Sequence, residues 1–435
     1  MRKASRLLQT VRGGERVDRS NPMNKSYPGR PQAGKCPERG PLGTNAKYGA
    51  PNPETGEIEG FDPMALRAMR FALQSAARYI LPKSRTAKCL RLRRGGADVQ
   101  VWRSREHGTA SYTGLQTCGS VWACPVCAAK IAERRRAELM GAMAAHKAGG
   151  GSMLLLTLTT PHQRGDQLGD LLAKQSLALS RFWKDKTVRG LLAGLGVIGQ
   201  VRALEVTHGR KSPQNNGWHP HYHVLLFAGS GVDLTKDWAV RLYLRWAALC
   251  EKSGLGVPSF QHGLKLDDGS KAAAYASKWG LEDEMTKGHT KKGKTGGETP
   301  FDFLRAFLAD RADLQAAALF REFAETFKGK RQLHWSHGLK ARFAVADVSD
   351  DELAERIEDS ADFLGSLTLD QWRDVLAVDG RANVLACAAS GGWPAVLAYL
   401  EAITGVGGRG DGKRSAAQRT HSPGSISEAC TEGQS

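Results

Sequence analysis

Nowhere in the chain do apolar residues run together for the roughly 18 positions that a membrane-crossing helix needs. The basic start MRKASRLLQTVRGGERVDRS also lacks the apolar centre of a secretory signal. Neither membrane nor export is expected, and a cytoplasmic location is. Cysteine is scarce: eight in 435 residues, unevenly placed, too few for a disulfide framework. Acid is in short supply as well, with 44 Asp and Glu against 62 Lys and Arg, a net charge of +18. That surplus favours a polyanionic partner, above all nucleic acid, through phosphate neutralisation and counterion release. Charge alone suits a solvated basic surface equally well, so the motifs decide.

Periodicity is missing at both ends. Residues 1–60 are rich in Gly, Pro and Asn, and the first forty hold ten basic side chains against three acidic; they read as a disordered basic arm. Residues 405–435 are small, polar and Gly-rich and read as a disordered tail. Between them, residues 61–150 form a segment that opens with a helix over 63–80 and then carries four of the eight cysteines. Residues 151–345 mix strands and helices. MLLLTLTT (153–160) reads as a buried strand closed by Pro161, and a helix candidate follows at 166–185. GVIGQVRALEVT (196–207), with a bulge-prone glycine, and 218–228 read as an antiparallel hairpin around a polar loop. Helical spacing marks 235–253 and 270–280, and residues 346–404 read as a small, acidic helical segment. No repeat of about 20–50 residues is present, which argues against a solenoid.

The chemistry begins in HPHYHVLLF (219–227). Side chains alternate along a strand, so His221 and His223 share one face, with His219 a further member of the row. Two imidazoles about 7 Å apart can share a metal ion, and the apolar residues that follow anchor the strand. On the neighbouring strand Glu205 is the natural third ligand; otherwise it pairs with Arg202 or Arg210. An N,N,O set with open positions suits Mg²⁺, Mn²⁺ or Zn²⁺.

Farther along, SKAAAYASKWG (270–280) sets Tyr275 among small residues, with Lys278 close to one helical turn on. A phenol needs a nearby cation to act as a nucleophile near neutral pH, and Lys278 and the metal could serve. The plain alternative is a half-buried tyrosine on an amphipathic helix. Upstream, Cys118, Cys124 and Cys127, with Cys89, have the ingredients of a four-thiolate Zn²⁺ knuckle. His107 is another fourth ligand, and unliganded buried thiols are the alternative. Arg134, Arg135 and Arg136 follow on a basic helix and could meet DNA phosphates. GHTKKGKT (288–295) matches the P-loop pattern, but no buried strand precedes it, so it reads as a basic loop.

Taken in order, LLLTLTTP, HPHYHVLL and YASK resemble the three motifs of HUH endonucleases of the plasmid rolling-circle replication initiator type. CGSVWACPVC before them and FREFAETFKGKRQLHWSHGLKARF (320–343) after them are also similar to those proteins, so the resemblance spans roughly 85–345. It implies an α+β fold, a ferredoxin-like antiparallel sheet with flanking helices, joined here by a zinc-binding element and a helical C-terminal segment. It also implies metal ligation by His221, His223 and Glu205, with Tyr275 as nucleophile and Lys278 matching the family's lysine. The family's tyrosine nicks one DNA strand at the origin, leaving a 5′-phosphotyrosine and a 3′-hydroxyl that primes synthesis. A host helicase and polymerase would be the further partners. Relaxases carry their tyrosine near the N-terminus, whereas here it follows the histidines, which favours replication over mobilisation; an HUH-type transposase or mobilisation nuclease is the alternative. Some relatives place a Glu four residues before the tyrosine, where this chain has Lys271, so termination chemistry does not follow. Glu282 or Glu284 could assist. Rival readings are a non-catalytic zinc-containing DNA-binding regulator and a metal hydrolase that uses water.

Overall fold

Alternation within one apolar strand organises the centre of the molecule. The computed structural model describes residues 63–234, 236–269, 297–355 and 360–404. In β3 (Ser152–Thr159), Leu154, Leu156 and Leu158 point to one face and Met153 and Leu155 to the other. β3 sits inside a five-stranded, wholly antiparallel sheet with β4 (Gly199–His208), β5 (Trp218–Ala228), β6 (Leu264–Asp268) and β7 (Leu333–Trp335), in the order β6-β3-β5-β4-β7. The strand expected at 218–228 has those bounds, and the hairpin with β4 is antiparallel as expected.

The two faces are covered differently. On one, α4 (Leu168–Lys184) and α6 (Trp238–Lys252) bring Leu171, Phe182, Leu242 and Trp246 onto Leu156, Leu158, Val224 and Leu226. Truncating the fully buried Phe182 or Trp246 to Ala would cost about 3–5 kcal/mol. The helix read over 166–185 ends at Lys184, because Asp185 turns the chain and caps a second helix, α5 (Lys186–Gly194). On the other face, α3 (Pro125–Ala148) and a short helix, α9 (Leu339–Arg342), cover one end, where Leu139, Met143 and Leu339 meet Leu155, Leu225 and Phe227. The other end of this face holds the histidines. Glycine matters here for closeness: a Cβ on Gly199 would lie 2.7 Å from Leu339 and 2.9 Å from Ser336. No bulge forms, since the β4–β5 register runs unbroken from Gly199 to His208.

The C-terminal segment differs from the helical expectation. After α10 (Asp350–Glu355), residues 361–367 form strand β8, which pairs with β1 (Val99–Ser104); β2 (Ala110–Thr113) completes a second antiparallel sheet, β2-β1-β8. The reason is burial: Val99, Val101 and Leu115 would be bare without Leu367, Trp372, Leu385, Val396 and Leu400. These come from β8, α11 (Leu369–Ala377) and α12 (Arg381–Ile403). By length and composition α12 could cross a membrane, yet it is kinked where Gly392 adopts φ 66° beside Pro394, and it fills this second core. α1 (Pro63–Ile80), which has the expected bounds, joins the two cores: Leu73 and Ala77 enter the first and Phe71 the second. Two further helices, α7 (Pro300–Ala309) and α8 (Leu314–Thr326), extend the first core with Phe301, Phe303, Phe320 and Phe323. Architecture among the described residues is therefore α+β with antiparallel sheets.

Candidate active site

Strand register assembles the site. Glu205 lies directly opposite His221 across the β4–β5 ladder, and the small Ala203 lies opposite His223. That gap lets one carboxylate serve both rings: Glu205 Oε2 is 3.2 Å from His221 Nε2 and 3.5 Å from His223 Nε2. Arg202 and Arg210 are engaged elsewhere. Arg202 lies over the Tyr222 ring, and Arg210 binds Glu298 and Asp313 at 2.8 Å each. Burial acts to raise the Glu205 carboxyl, but the two histidines outweigh it and hold the group down to about 2.

The far side of each imidazole is also occupied. His223 Nδ1 lies 3.1 Å from Thr157 Oγ1, and the His221 Nδ1–H donates to the His219 carbonyl at 3.4 Å. With both Nδ1 atoms engaged, both Nε2 atoms aim at the same point as the carboxylate, an arrangement that orients metal-binding histidines. The three side chains offer ligand atoms within 4.8 Å of one another. Such a set suits a divalent ion with open positions. His219 continues the row but stays out of the group, its Nδ1 2.5 Å from His162 Nε2. Burial, then His221 and His162, push it down to about 3.

Supports from the covered face fix the strand ends. The Gln175 amide donates to the Pro220 carbonyl at 2.9 Å, the Trp246 indole N–H to the Thr159 carbonyl at 2.9 Å, and the Trp218 indole N–H to Glu322 at 3.0 Å. Reading the motifs alone misses Thr157, His162, Gln175 and Trp246. Of these, only Thr157 had a legible signal, as a polar residue in an apolar strand.

A second group closes in the first core. Cys89, Cys118, Cys124 and Cys127 are all buried, with sulfur–sulfur separations of 3.5 Å (Cys89–Cys127), 3.7 Å (Cys118–Cys127) and 3.8 Å (Cys89–Cys124). Four thiolates about 2.3 Å from one tetrahedral Zn²⁺ stand about 3.8 Å apart. A disulfide needs about 2.05 Å, so the spacing fits metal ligation better. Cys89 closes the set; His107 is not in it and lies 3.7 Å from Glu106. The expectation for the arginines needs correction. Arg135 pairs with Glu138 of its own helix and with Asp350 of α10, which packs against α3, and Arg136 pairs with Glu133, one turn back on α3. Tyr275, Lys278, Lys271, Glu282, Glu284 and the 288–295 loop lie outside the described residues.

Residues 113–252, from the end of β2 through α6, match the family model for replication proteins. Over that stretch the chain is similar to replication proteins. The stretch holds three of the four cysteines and the whole Glu205–His221–His223 group. A Rep protein of Streptomyces lividans is 25% identical over 316 residues, 57% of this chain and 68% of that one. A protein of Streptomyces cyanogenus named for neomycin resistance is 31% identical over 150 residues, 29% of this chain and 33% of its own length. No solved structure gives a significant match.

Proposed function

We propose that the chain initiates plasmid replication by nicking one strand at the origin, with a ferredoxin-like HUH core formed by the β6-β3-β5-β4-β7 sheet and its helices. The observation that carries this reading is the convergence of His221, His223 and Glu205 on one face of the sheet, one strand from Thr157 of the LLLTLTT motif. Mg²⁺ or Mn²⁺ held there would neutralise charge on the scissile phosphate. Around it, Thr157 and the His219 carbonyl keep the rings oriented, and Glu205 balances part of the ion's charge.

Tyr275 and Lys278 are assigned from motif order. The tyrosine oxygen attacks phosphorus as the bond to the 3′ oxygen breaks, giving a 5′-phosphotyrosine and a 3′-hydroxyl; the phenol loses its proton and the departing oxygen gains one. Lys278 stabilises phenolate character. The four cysteines hold a structural Zn²⁺ that fixes the start of α3. Helicase and polymerase of the host act afterwards on the primed strand. To test the reading, labelled single-stranded origin DNA is incubated with Mn²⁺ or Mg²⁺. Wild type should cut it, and H221A and H223A should not; cutting that survives in both variants removes the metal group from the mechanism.

A further inference from the structure

The two hydrophobic cores meet beside the cysteine group. Leu90 and Val126, the sequence neighbours of Cys89 and Cys127, pack against both cores. A chain of buried polar side chains crosses the same junction. Gln74 of α1 is 1% exposed; its amide N–H donates to Cys124 Sγ at 3.1 Å, and its amide oxygen accepts from Arg381 Nη1 at 2.6 Å. Arg381 opens α12 and is fully buried, its guanidinium carbon 4.8 Å from the centre of the Phe71 ring. It reaches the cysteines by a second route as well: its Nη1 donates to the Leu90 carbonyl at 3.4 Å. Leu90, directly after Cys89, has a left-handed backbone, φ 48°. A leucine keeps that conformation where its surroundings impose it, and here the Leu90 N–H is also tied, to the Gln116 carbonyl at 2.7 Å.

Charge explains why a guanidinium belongs there. The Asp379 carboxylate serves both Arg381, at 3.0 Å, and Arg91, at 2.8 Å, so two cations share one anion. Four thiolates around one Zn²⁺ carry a net negative charge. The Gln74 amide lies between the two, N–H toward sulfur and oxygen toward the guanidinium, so its dipole is favourable at both ends. A thiol without metal is a much weaker acceptor than a metal-bound thiolate. Removing the ion therefore loosens Gln74 from Cys124 and leaves Arg381 in the core with a shared carboxylate to balance it, a costly state for a buried cation.

We infer that the four-thiolate zinc group clamps the second core onto the first through Gln74 and Arg381, so that zinc occupancy governs the docking of residues 361–403. The inference rests on the proposed structural zinc and adds what the ion controls. By linkage the effect runs both ways: a docked Arg381 tightens the hold on zinc. Gln74 and Arg381 are positioning residues, since neither is a ligand.

The test is backbone hydrogen exchange of the full-length chain, read separately over α12 and over β3 and β5, together with zinc affinity by competition with a chromogenic chelator. Stripping zinc from wild type should abolish protection over α12 while β3 and β5 stay protected, and added Zn²⁺ should restore it. Q74L keeps all four cysteines but loses both amide bonds; its zinc affinity should fall about 10–100-fold, and its zinc-loaded form should exchange over α12 like zinc-free wild type. R381M touches no sulfur, yet its zinc affinity should fall about 10-fold, with R381K between it and wild type. Protection of α12 that is the same with and without zinc, or R381M holding zinc as tightly as wild type, overturns the clamp while one Zn²⁺ per chain leaves the zinc reading standing. Wild type that takes up no zinc overturns both.

Discussion

Glu205 reaches two imidazoles because its neighbour across the ladder is His221 and the next pair outward places only a methyl group, Ala203, against His223. Enlarging that methyl should push the rings apart: A203L is expected to weaken Mn²⁺ binding even though no ligand changes, which calorimetric titration would show. Thr157 acts through His223 and is a positioning residue. T157V should lower metal affinity by about 10–100-fold, and T157S should restore it. Equal Mn²⁺ affinity in T157V and wild type would show that the hydroxyl contact has no orienting role.

At the scale of elements, the loop between β4 and β5 is tied down by a buried ion cluster. Arg210 binds Glu298 and Asp313, and Lys211 reaches Glu298 at 3.0 Å. Burial tends to raise the Glu298 carboxyl, but Arg210 and Lys211 prevail and hold it below its ordinary value of 4.5. A carboxylate lowered in the folded state contributes stability above that ordinary value and loses it as pH falls toward the folded value. E298Q should thus cost about 1.5–3 kcal/mol near neutral pH, since Arg210 keeps Asp313 but exchanges one charged partner for a neutral amide. The gap between mutant and wild-type melting temperatures should close as the pH is taken below 4.5; a constant gap would contradict this. The cysteine group is also an element-scale feature. One Zn²⁺ per chain is expected by metal analysis, and C124A should lower both zinc content and melting temperature.

Much of this was legible in the residues. Alternation located β3 and β5, and with them the shared face of His221 and His223; the cysteine cluster, taken with Cys89, named all four thiols. β8 was not legible, because ADFLGSL fully buries Leu367 alone and shows no inward alternation; its pairing with β1 is decided by the ladder and by α12 behind it. Nor were the roles of Arg135 and Arg136, since a basic run looks alike in solvent and against carboxylates.

For the molecule as a whole, the two cores share α1, so the C-terminal part is not an appendage. Ending the chain after Val345 would strip Leu367, Trp372, Leu385, Val396 and Leu400 from Val99 and Val101. That truncation should lose cooperative unfolding of the N-terminal sheet and aggregate, and a truncated chain that melts like the full one would show the cores to be independent. The central claim concerns the covalent step. The most direct measurement is denaturing electrophoresis after incubating the chain with Mn²⁺ and single-stranded origin DNA labelled on the 3′ side of the nick. The account predicts label migrating with the protein for wild type and none for Y275F, although Y275F still binds the DNA. Cleavage without attached protein, or an adduct that persists in Y275F, would contradict it.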